Sequence, residues 1–141
     1  MTRKFQHADM ERVMQIWLEG NLQAHGFVPE SYWRGNFDVV RGMLPESELY
    51  VYEEESTRII QGFLGLVGEN IAGVFVSGGM RSNGIGKQLL DTAKKVRNHL
   101  TLRVYQKKTR ALSFYLREGF QIRSKETDDS TGEAEYLLTW N

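Results

Sequence analysis

The sequence has no cysteine, only two prolines and no long apolar run, and each deficit narrows the choice of protein class. Without cysteine, a disulfide scaffold, a thiol nucleophile and a cysteine zinc site are excluded, and a reducing cytoplasm is the expected location. The longest apolar stretches, residues 63–67 and 71–76, fall far short of the roughly 20 residues that a membrane span needs. The first ten residues lack the apolar segment of a signal peptide. We therefore expect no contact with a membrane.

The composition is that of an ordinary globular protein. Apolar residues make up 40% and charged residues 26% of the 141 residues, which excludes disordered and fibrous classes. The chain shows no repeat, no low-complexity stretch and no proline-rich linker. The sequence therefore predicts a single domain spanning residues 1–141.

The net charge of zero conceals a strong asymmetry between the two halves. Residues 1–70 carry six basic and eleven acidic side chains, whereas residues 71–141 carry twelve and seven. Within 81–110 there are nine lysines or arginines and one acid, Asp91. Such a segment suggests an anionic partner, and charge alone leaves open a phosphate-bearing small molecule, a nucleic acid or merely a solvated helix face.

Hydrophobic periodicity predicts two helices, then a region where strands alternate with helices. One helix is expected over 9–24, with Gly26 as its stop, and a second between Pro29 and Pro45. This pattern favours an α/β sandwich with a mixed sheet, in the order β-α-α-β-β-β-α-β-α-β-β. The later elements are expected as a hairpin within 49–67, a strand at 71–76, a helix from 85, a strand at 100–104, a helix at 110–117 and strands at 120–125 and 134–140.

The most specific local feature is a strand, a glycine-rich loop and a helix that opens on Gly84-Ile-Gly86. Glycines let a ligand approach the backbone, and the free amides at a helix N-terminus attract an anion. The segment is not a dinucleotide fingerprint, because Leu89 stands where the third glycine belongs, and it lacks the Lys and Ser/Thr of a P-loop. It therefore predicts an anion cradle, the alternative being a purely structural turn.

Two segments resemble the signatures of the GNAT superfamily of N-acetyltransferases. Arg81-Ser-Asn-Gly84-Ile-Gly86 resembles the (Gln/Arg)-x-x-Gly-x-(Gly/Ala) element, and residues 102–120 resemble the strand, Asn-x-x-Ala-x-x-Phe-Tyr helix and Gly-Phe of the second signature. The pattern is similar to that of small bacterial members. The resemblance implies a GNAT-like acyl-CoA N-acyltransferase fold, with a central mixed, mostly antiparallel sheet flanked by helices. It also implies that a primary amine attacks acetyl-CoA directly in a ternary complex.

The resemblance also assigns residues to acetyl-CoA, with no metal. The backbone of Phe75 and Val76 is expected to pair with the pantetheine arm. Lys108 replaces the usual asparagine of the second signature and can pair with a phosphate, although it cannot accept a hydrogen bond. The residues expected around the pyrophosphate are Arg81, Ser82, Asn83, Gly84, Ile85, Gly86 and Lys87.

Tyr115 matches the tyrosine that in this family protonates the departing thiolate, and a phenol that holds its proton at neutral pH suits that role. Many members carry a glutamate base at the start of the central strand, where this chain has Asn70. Glu69 can serve only if the strand bulges or the register shifts by one. His25 or an ordered water are the other candidates for the base.

The first two helices and their loop choose the acceptor in this family, which implies His25, Phe27 and Trp33 as walls of the acceptor site. The three histidines lack metal-ligand spacing. Nucleic-acid binding is disfavoured because the basic segment 81–103 contains no aromatic residue. The alternatives are a catalytically weak acetyl-CoA or CoA sensor, and either a monomer or a homodimer joined through terminal strands.

Overall fold

The computed structural model describes residues 1–24, 27–78 and 84–141, and the predicted strands and helices appear there in the predicted order. Gly26, the predicted stop of the first helix, lies outside the described residues. No helix in these ranges combines the length and apolarity needed to cross a bilayer. The elements are β1 (Thr2–Lys4), α1 (Met10–Ala24), α2 (Glu30–Met43), β2 (Glu48–Glu53), β3 (Ile60–Val67), β4 (Asn70–Val76), α3 (Ile85–Val96), β5 (Leu100–Tyr105), α4 (Thr109–Arg117), β6 (Gln121–Thr127) and β7 (Ala134–Trp140).

The strands form one seven-stranded sheet in the order β1-β2-β3-β4-β5-β7-β6. Neighbouring strands run antiparallel except β4 and β5, which are parallel. The parallel pair requires a crossover connection, which α3 supplies. The expectation of a mixed, mostly antiparallel sheet flanked by helices is confirmed.

The two faces of the sheet carry separate apolar cores because strand side chains alternate between faces. On one face, α3 and α4 cover a core that includes Leu64, Leu102 and Leu138. On the other face, α1 and α2 cover a core that includes Met14 and Phe63. The second core lies over the β1–β4 side of the sheet, so the helices leave the same face of β5, β7 and β6 open.

A charged network fastens β1 to the start of α1. The Arg3 guanidinium donates to both carboxylate oxygens of Asp9, at 2.8 and 3.0 Å, and to Glu53 at 3.0 Å. The hydrogen bonds from Arg3 lower the pKa of both carboxyl groups. A carboxyl group with a lowered pKa stabilises the fold above its unfolded pKa of about 4, and this contribution is lost as the pH falls.

We expect Arg3→Gln to lower the free energy of unfolding by about 3 kcal/mol at pH 7, because it leaves the Asp9 carboxylate without its partner. The difference from wild type should shrink as the pH falls below about 4, because the carboxyl groups take up protons first in the unfolded state and then, at their lowered pKa, in the folded state. Urea unfolding at several pH values measures both effects. Arg58→Gln is the matched control, because Arg58 also contacts Glu53 but is 77% exposed, and it should change little. If Arg3→Gln lowered the free energy of unfolding as much at pH 3 as at pH 7, this interpretation would be contradicted.

Candidate active site

β4 and β5 lie side by side for two residue pairs and then separate. Asn70 lies beside Thr101, joined through their side chains at 3.1 Å, and Ile71 lies beside Leu102. Beyond this point β4 continues with β3, while β5 continues with β7 up to Tyr105. A wedge-shaped space therefore opens between the two parallel strands, and we call it the β4–β5 gap.

A bulge in β4 lies where the strands part. Ile71 opposes Leu66 and Gly73 opposes Gly65, so Ala72 is the extra residue on β4. A bulge of this kind bends its strand and increases the local twist. The bend explains why β4 leaves its parallel partner after only two pairs.

The backbone of β4 presents polar groups to the gap at alternate residues. The Ser77 N–H donates to the Gln61 carbonyl at 2.8 Å, and bonded pairs alternate along an antiparallel ladder. Phe75 therefore directs its backbone groups to β3, whereas Val74 and Val76 direct theirs into the gap. An extended ligand with amide groups can pair with this edge as an added strand would. Of the two residues expected to pair with the pantetheine arm, Val76 turns its backbone to the gap and Phe75 does not, and pairing with the arm stays a prediction.

Phe75 contributes its ring instead. The ring stacks on Phe63, with centroids 5.0 Å apart, and belongs to the core beneath α1. It folds back over Gly73, where an added Cβ would lie 2.4 Å from Phe75 Cε2. Gly73 is therefore required so that this ring can form the wall of the gap on the α1 side.

The N-terminus of α3 is the described part of the predicted anion cradle, and anion binding there stays a prediction. Gly84 has a φ of 77°, a conformation that favours glycine, and the helix starts at the next residue. The Gln88 N–H is bonded to the Gly84 carbonyl at 3.1 Å, so the amides of Ile85, Gly86 and Lys87 have no acceptor within the helix. These three amides are the groups expected to hold a pyrophosphate.

Gly86 and Lys87 lie in the first turn of α3, beside the cradle. Gly86 faces Phe114, and an added Cβ would lie 3.5 Å from the Phe114 ring. Lys87 contacts Glu118 at 3.0 Å and Asp91 at 3.6 Å, and the hydrogen bond to Glu118 raises its pKa. The other expected pyrophosphate contacts, Arg81, Ser82 and Asn83, lie outside the described residues.

Tyr115 lies on α4, on the opposite face of the sheet from α1. Its half-buried ring packs between Phe114 at 5.3 Å and Phe120 at 5.8 Å. Burial raises the pKa of Tyr115 to about 12, so the phenol keeps its proton at neutral pH. Within residues 1–24, 27–78 and 84–141 its hydroxyl forms no hydrogen bond. The phenol is thus a protonated donor suited to a ligand.

Lys108 directly precedes α4, and its carbonyl accepts the Leu112 N–H at 3.0 Å. This position lies at the start of the same helix that carries Tyr115. Contact between Lys108 and a phosphate stays a prediction.

Of the residues predicted to line the acceptor site, one lies near the surface and one lies in the core. Phe27 is half-buried and meets Tyr105 edge to face at 5.4 Å, with Lys107 Nζ 5.3 Å from its ring centroid. Trp33 is only 8% exposed and packs edge to face on Trp17 at 6.1 Å, so it supports the core and offers no ligand surface. His25 lies outside the described residues.

An open groove of about 360 Å³ lies between the α1–α2 connection and the β6–β7 connection. Tyr105, at the end of β5, borders this region and donates its hydroxyl to Asp128 at 2.6 Å. Burial raises the pKa of Tyr105, so it stays protonated. The groove is lined by Val28, Pro29, Ser31, Tyr32, Ser130 and Thr131.

Glu69 lies in the turn between β3 and β4, where it is 60% exposed and 3.7 Å from His99. The bulge that could have redirected it falls at Ala72, beyond it. Its geometry is that of an ordinary turn residue.

Sequence reasoning missed one carboxyl group, that of Glu135 on β7. Its side chain is only 13% exposed, and burial raises its pKa, with further contributions from Asp128 and Glu126. The signal in the sequence is a single charged residue inside the last strand, between Ala134 and Tyr136. In the described part of the chain, no cluster of three or more metal-ligating side chains could hold a metal ion.

The gap, the cradle and the protonated tyrosine fit the parts of an extended thioester cofactor with a pyrophosphate at one end. A family model described as "Acetyltransferase (GNAT) domain" matches residues 45–122. The chain belongs to the GNAT superfamily. It is an N-acetyltransferase whose donor is acetyl-CoA and whose acceptor is an amine, as the two signatures implied.

Its relatives support the same class over the whole chain. The peptidyl-lysine N-acetyltransferase YiaC of Escherichia coli (strain K12) is 31% identical over 142 residues, covering 99% of this chain and 96% of that protein. The solution structure of apo-form YjaB from Escherichia coli superposes with a TM-score of 0.87 at 27% identity, covering 99% and 96% of the two chains. An aminoglycoside 6'-N-acetyltransferase complexed with coenzyme A shares the fold, with a TM-score of 0.72 at 13% identity over 99% and 95%.

Proposed function

We propose that the acceptor is the ε-amine of a lysine in a protein or peptide. The observation that carries this proposal is the open groove beside Tyr105, because its β6–β7 side follows directly on Asp128 and Asp129, whose charges attract a cationic chain. Its open side can receive a side chain presented on a larger molecule. The curated relatives YiaC and YjaB are named peptidyl-lysine N-acetyltransferases, which agrees with this choice.

The donor is proposed to lie along β4. Acetyl-CoA supplies an activated thioester, whose carbonyl carbon an amine can attack. The backbone groups of Val74 and Val76 orient the pantetheine arm, and the amides of residues 85–87 hold the pyrophosphate. Arg81, Ser82 and Asn83 are assigned to the same phosphates from the sequence motif, and Lys108 is assigned to a phosphate by its charge.

Proton transfer at the sulfur is assigned to Tyr115. When the C–S bond breaks, the thiolate needs a proton, and the Tyr115 phenol on α4 keeps its proton at neutral pH. Glu69 is not assigned as the base, because it lies in an exposed turn. No feature of the described residues favours the CoA-sensor alternative. The lack of cysteine supports a cytoplasmic site of action.

The test is an acceptor panel with purified protein and acetyl-CoA, followed by CoA release and by mass spectrometry of the product. A lysine peptide with a blocked N-terminus should be acetylated on the ε-amine. Its matched control carries arginine in place of lysine and a free N-terminus, and should stay unmodified. Basic residues flanking the lysine should raise kcat/KM, and this gain should fade with salt. Acetylation of the free N-terminus alone, or of small amines alone, would refute a peptidyl-lysine acceptor.

A further inference from the structure

Glu135 lies on the open face of the sheet, one strand from the β4–β5 gap. It is directly opposite Tyr105 on β5 and opposite Glu126 on β6. Its neighbours Tyr136 and Leu138 point into the α3–α4 core, so strand alternation turns Glu135 to the face where the acceptor groove lies. Only β5, one strand spacing of about 5 Å, separates β7 from the gap.

The charges around Glu135 come from three elements. Arg103 of β5 approaches it to 3.9 Å, but the same nitrogen donates to Glu126 of β6 at 2.9 Å. Asp128, after β6, accepts the Tyr105 hydroxyl. Burial, Asp128 and Glu126 raise the pKa of Glu135 and outweigh the opposing effect of Arg103. Glu135 is therefore poised to accept a proton nearer to neutral pH than an ordinary glutamate.

The neighbouring carboxylates are engaged elsewhere. Glu126 is paired with Arg103, Asp128 with Tyr105, and Glu133 with Lys107 at 2.9 Å. Within the described ranges, the contact at 3.9 Å is the closest ion pair of Glu135. Among Glu126, Asp128, Glu133 and Glu135, Glu135 is thus the one with capacity to take a new proton.

We propose that Glu135 is the general base of the reaction, a proposal that rests on the amine acceptor described above. It takes one proton from the acceptor ammonium, directly or through one water, and becomes a neutral carboxylic acid. The freed nitrogen lone pair forms the N–C bond to the acetyl carbon, the C–S bond breaks, and Tyr115 gives its proton to the thiolate. The nitrogen's second proton returns to the tyrosyl oxygen through solvent, and Glu135 later releases its own proton to water.

The test compares Glu135→Gln with Glu126→Gln, using two matched acceptors. One acceptor is a lysine peptide, and the other is the same peptide with an aminooxy group in place of the lysine amine, which is already neutral at pH 7. Glu135→Gln should lower kcat/KM about 50-fold with lysine but less than fivefold with the aminooxy peptide. Glu126→Gln removes the closer partner of Arg103. It should keep kcat/KM at pH 7 within about threefold of wild type. It should also move the acid limb of the pH profile of kcat/KM to lower pH.

Three results would overturn the proposal. The first is a fall in kcat/KM of less than threefold for Glu135→Gln with the lysine peptide. The second is that Glu135→Gln lowers kcat/KM equally with the lysine and the aminooxy peptides. The third is that Glu126→Gln lowers kcat/KM as much as Glu135→Gln does. An NMR titration of the Glu135 carboxyl carbon in the wild-type protein decides independently of any acceptor. A pKa clearly above the ordinary 4.3 supports the role, and a value at or below it refutes the role. Failure of lysine peptides as substrates would refute the proposed acceptor while this titration still decides Glu135.

Discussion

Tyr115→Phe should lower kcat about 300-fold and leave the Kd of acetyl-CoA within about twofold of wild type. The substitution removes only the hydroxyl, so the ring contacts with Phe114 and Phe120 are kept. General acid catalysis is typically worth 10²–10⁴-fold, and a group needed only as the bond breaks affects turnover more than binding. The rate of CoA release gives kcat, and titration calorimetry gives the Kd of acetyl-CoA.

Tyr52→Phe is the matched control for this change. Tyr52 packs partly buried against the same core, but it lies on β2, two strands away from β4. Its loss of a hydroxyl should leave kcat unchanged. Because the pKa of Tyr115 is about 12, an alkaline decline of kcat that depends on this phenol should lie near pH 12. A Tyr115→Phe enzyme as active as wild type would remove the tyrosine from the mechanism.

Val76→Pro should weaken acetyl-CoA binding about 100-fold while the protein remains folded. Proline removes the backbone N–H, and its ring projects toward the space that the N–H faced. The ladder with β3 does not use this N–H, so a proline is tolerated there as on an edge strand. Leaving a buried acceptor of the ligand unpaired costs about 1–3 kcal/mol, and steric exclusion of the arm adds to it.

Val76→Ala separates the backbone from the side chain, because alanine keeps the N–H and loses only the apolar contact. We expect its Kd for acetyl-CoA within about threefold of wild type, although its thermal stability falls. Circular dichroism and melting curves establish that both variants fold. Wild-type affinity in a folded Val76→Pro protein would show that the pantetheine arm does not use this edge.

Much of the fold was predictable because it depends on local patterns. Periodic apolar residues placed both α1 and α2, and the prolines at 29 and 45 bounded the second of them. The glycine pattern at 84 and 86 predicted the cradle because a helix start with free amides depends only on nearby residues. Tyr115 could be assigned because it sits within a signature that includes its own helix and the following Gly-Phe.

The remaining site features depend on contacts between distant segments. The gap exists because β4 bulges at Ala72 and leaves β5, and nothing in residues 70–76 alone reports the pairing of β5 with β7. Val74, and not Phe75, turns its backbone to the gap because the ladder with β3 sets which residues face outward. Glu135 acquires its burial and its acidic neighbours only when β7 lies between β5 and β6. Sequence reasoning therefore looked for the base on β4, where the family places it.

The two halves of the sheet are joined by the short pairing of β4 with β5, which we call the waist. In the described part of the chain, strands β1–β4 and strands β5–β7 share two residue pairs, those of Asn70 with Thr101 and Ile71 with Leu102. A donor that pairs with the free edge of β4 extends the hydrogen bonding of the sheet, so the bound substrate becomes part of the folded structure. Binding and folding are then coupled, since a ligand that prefers the folded state stabilises it by mass action. A substitution that weakens the β4–β5 pairing at the waist will therefore lower the affinity for the donor, even when the substituted residue lies far from the thioester.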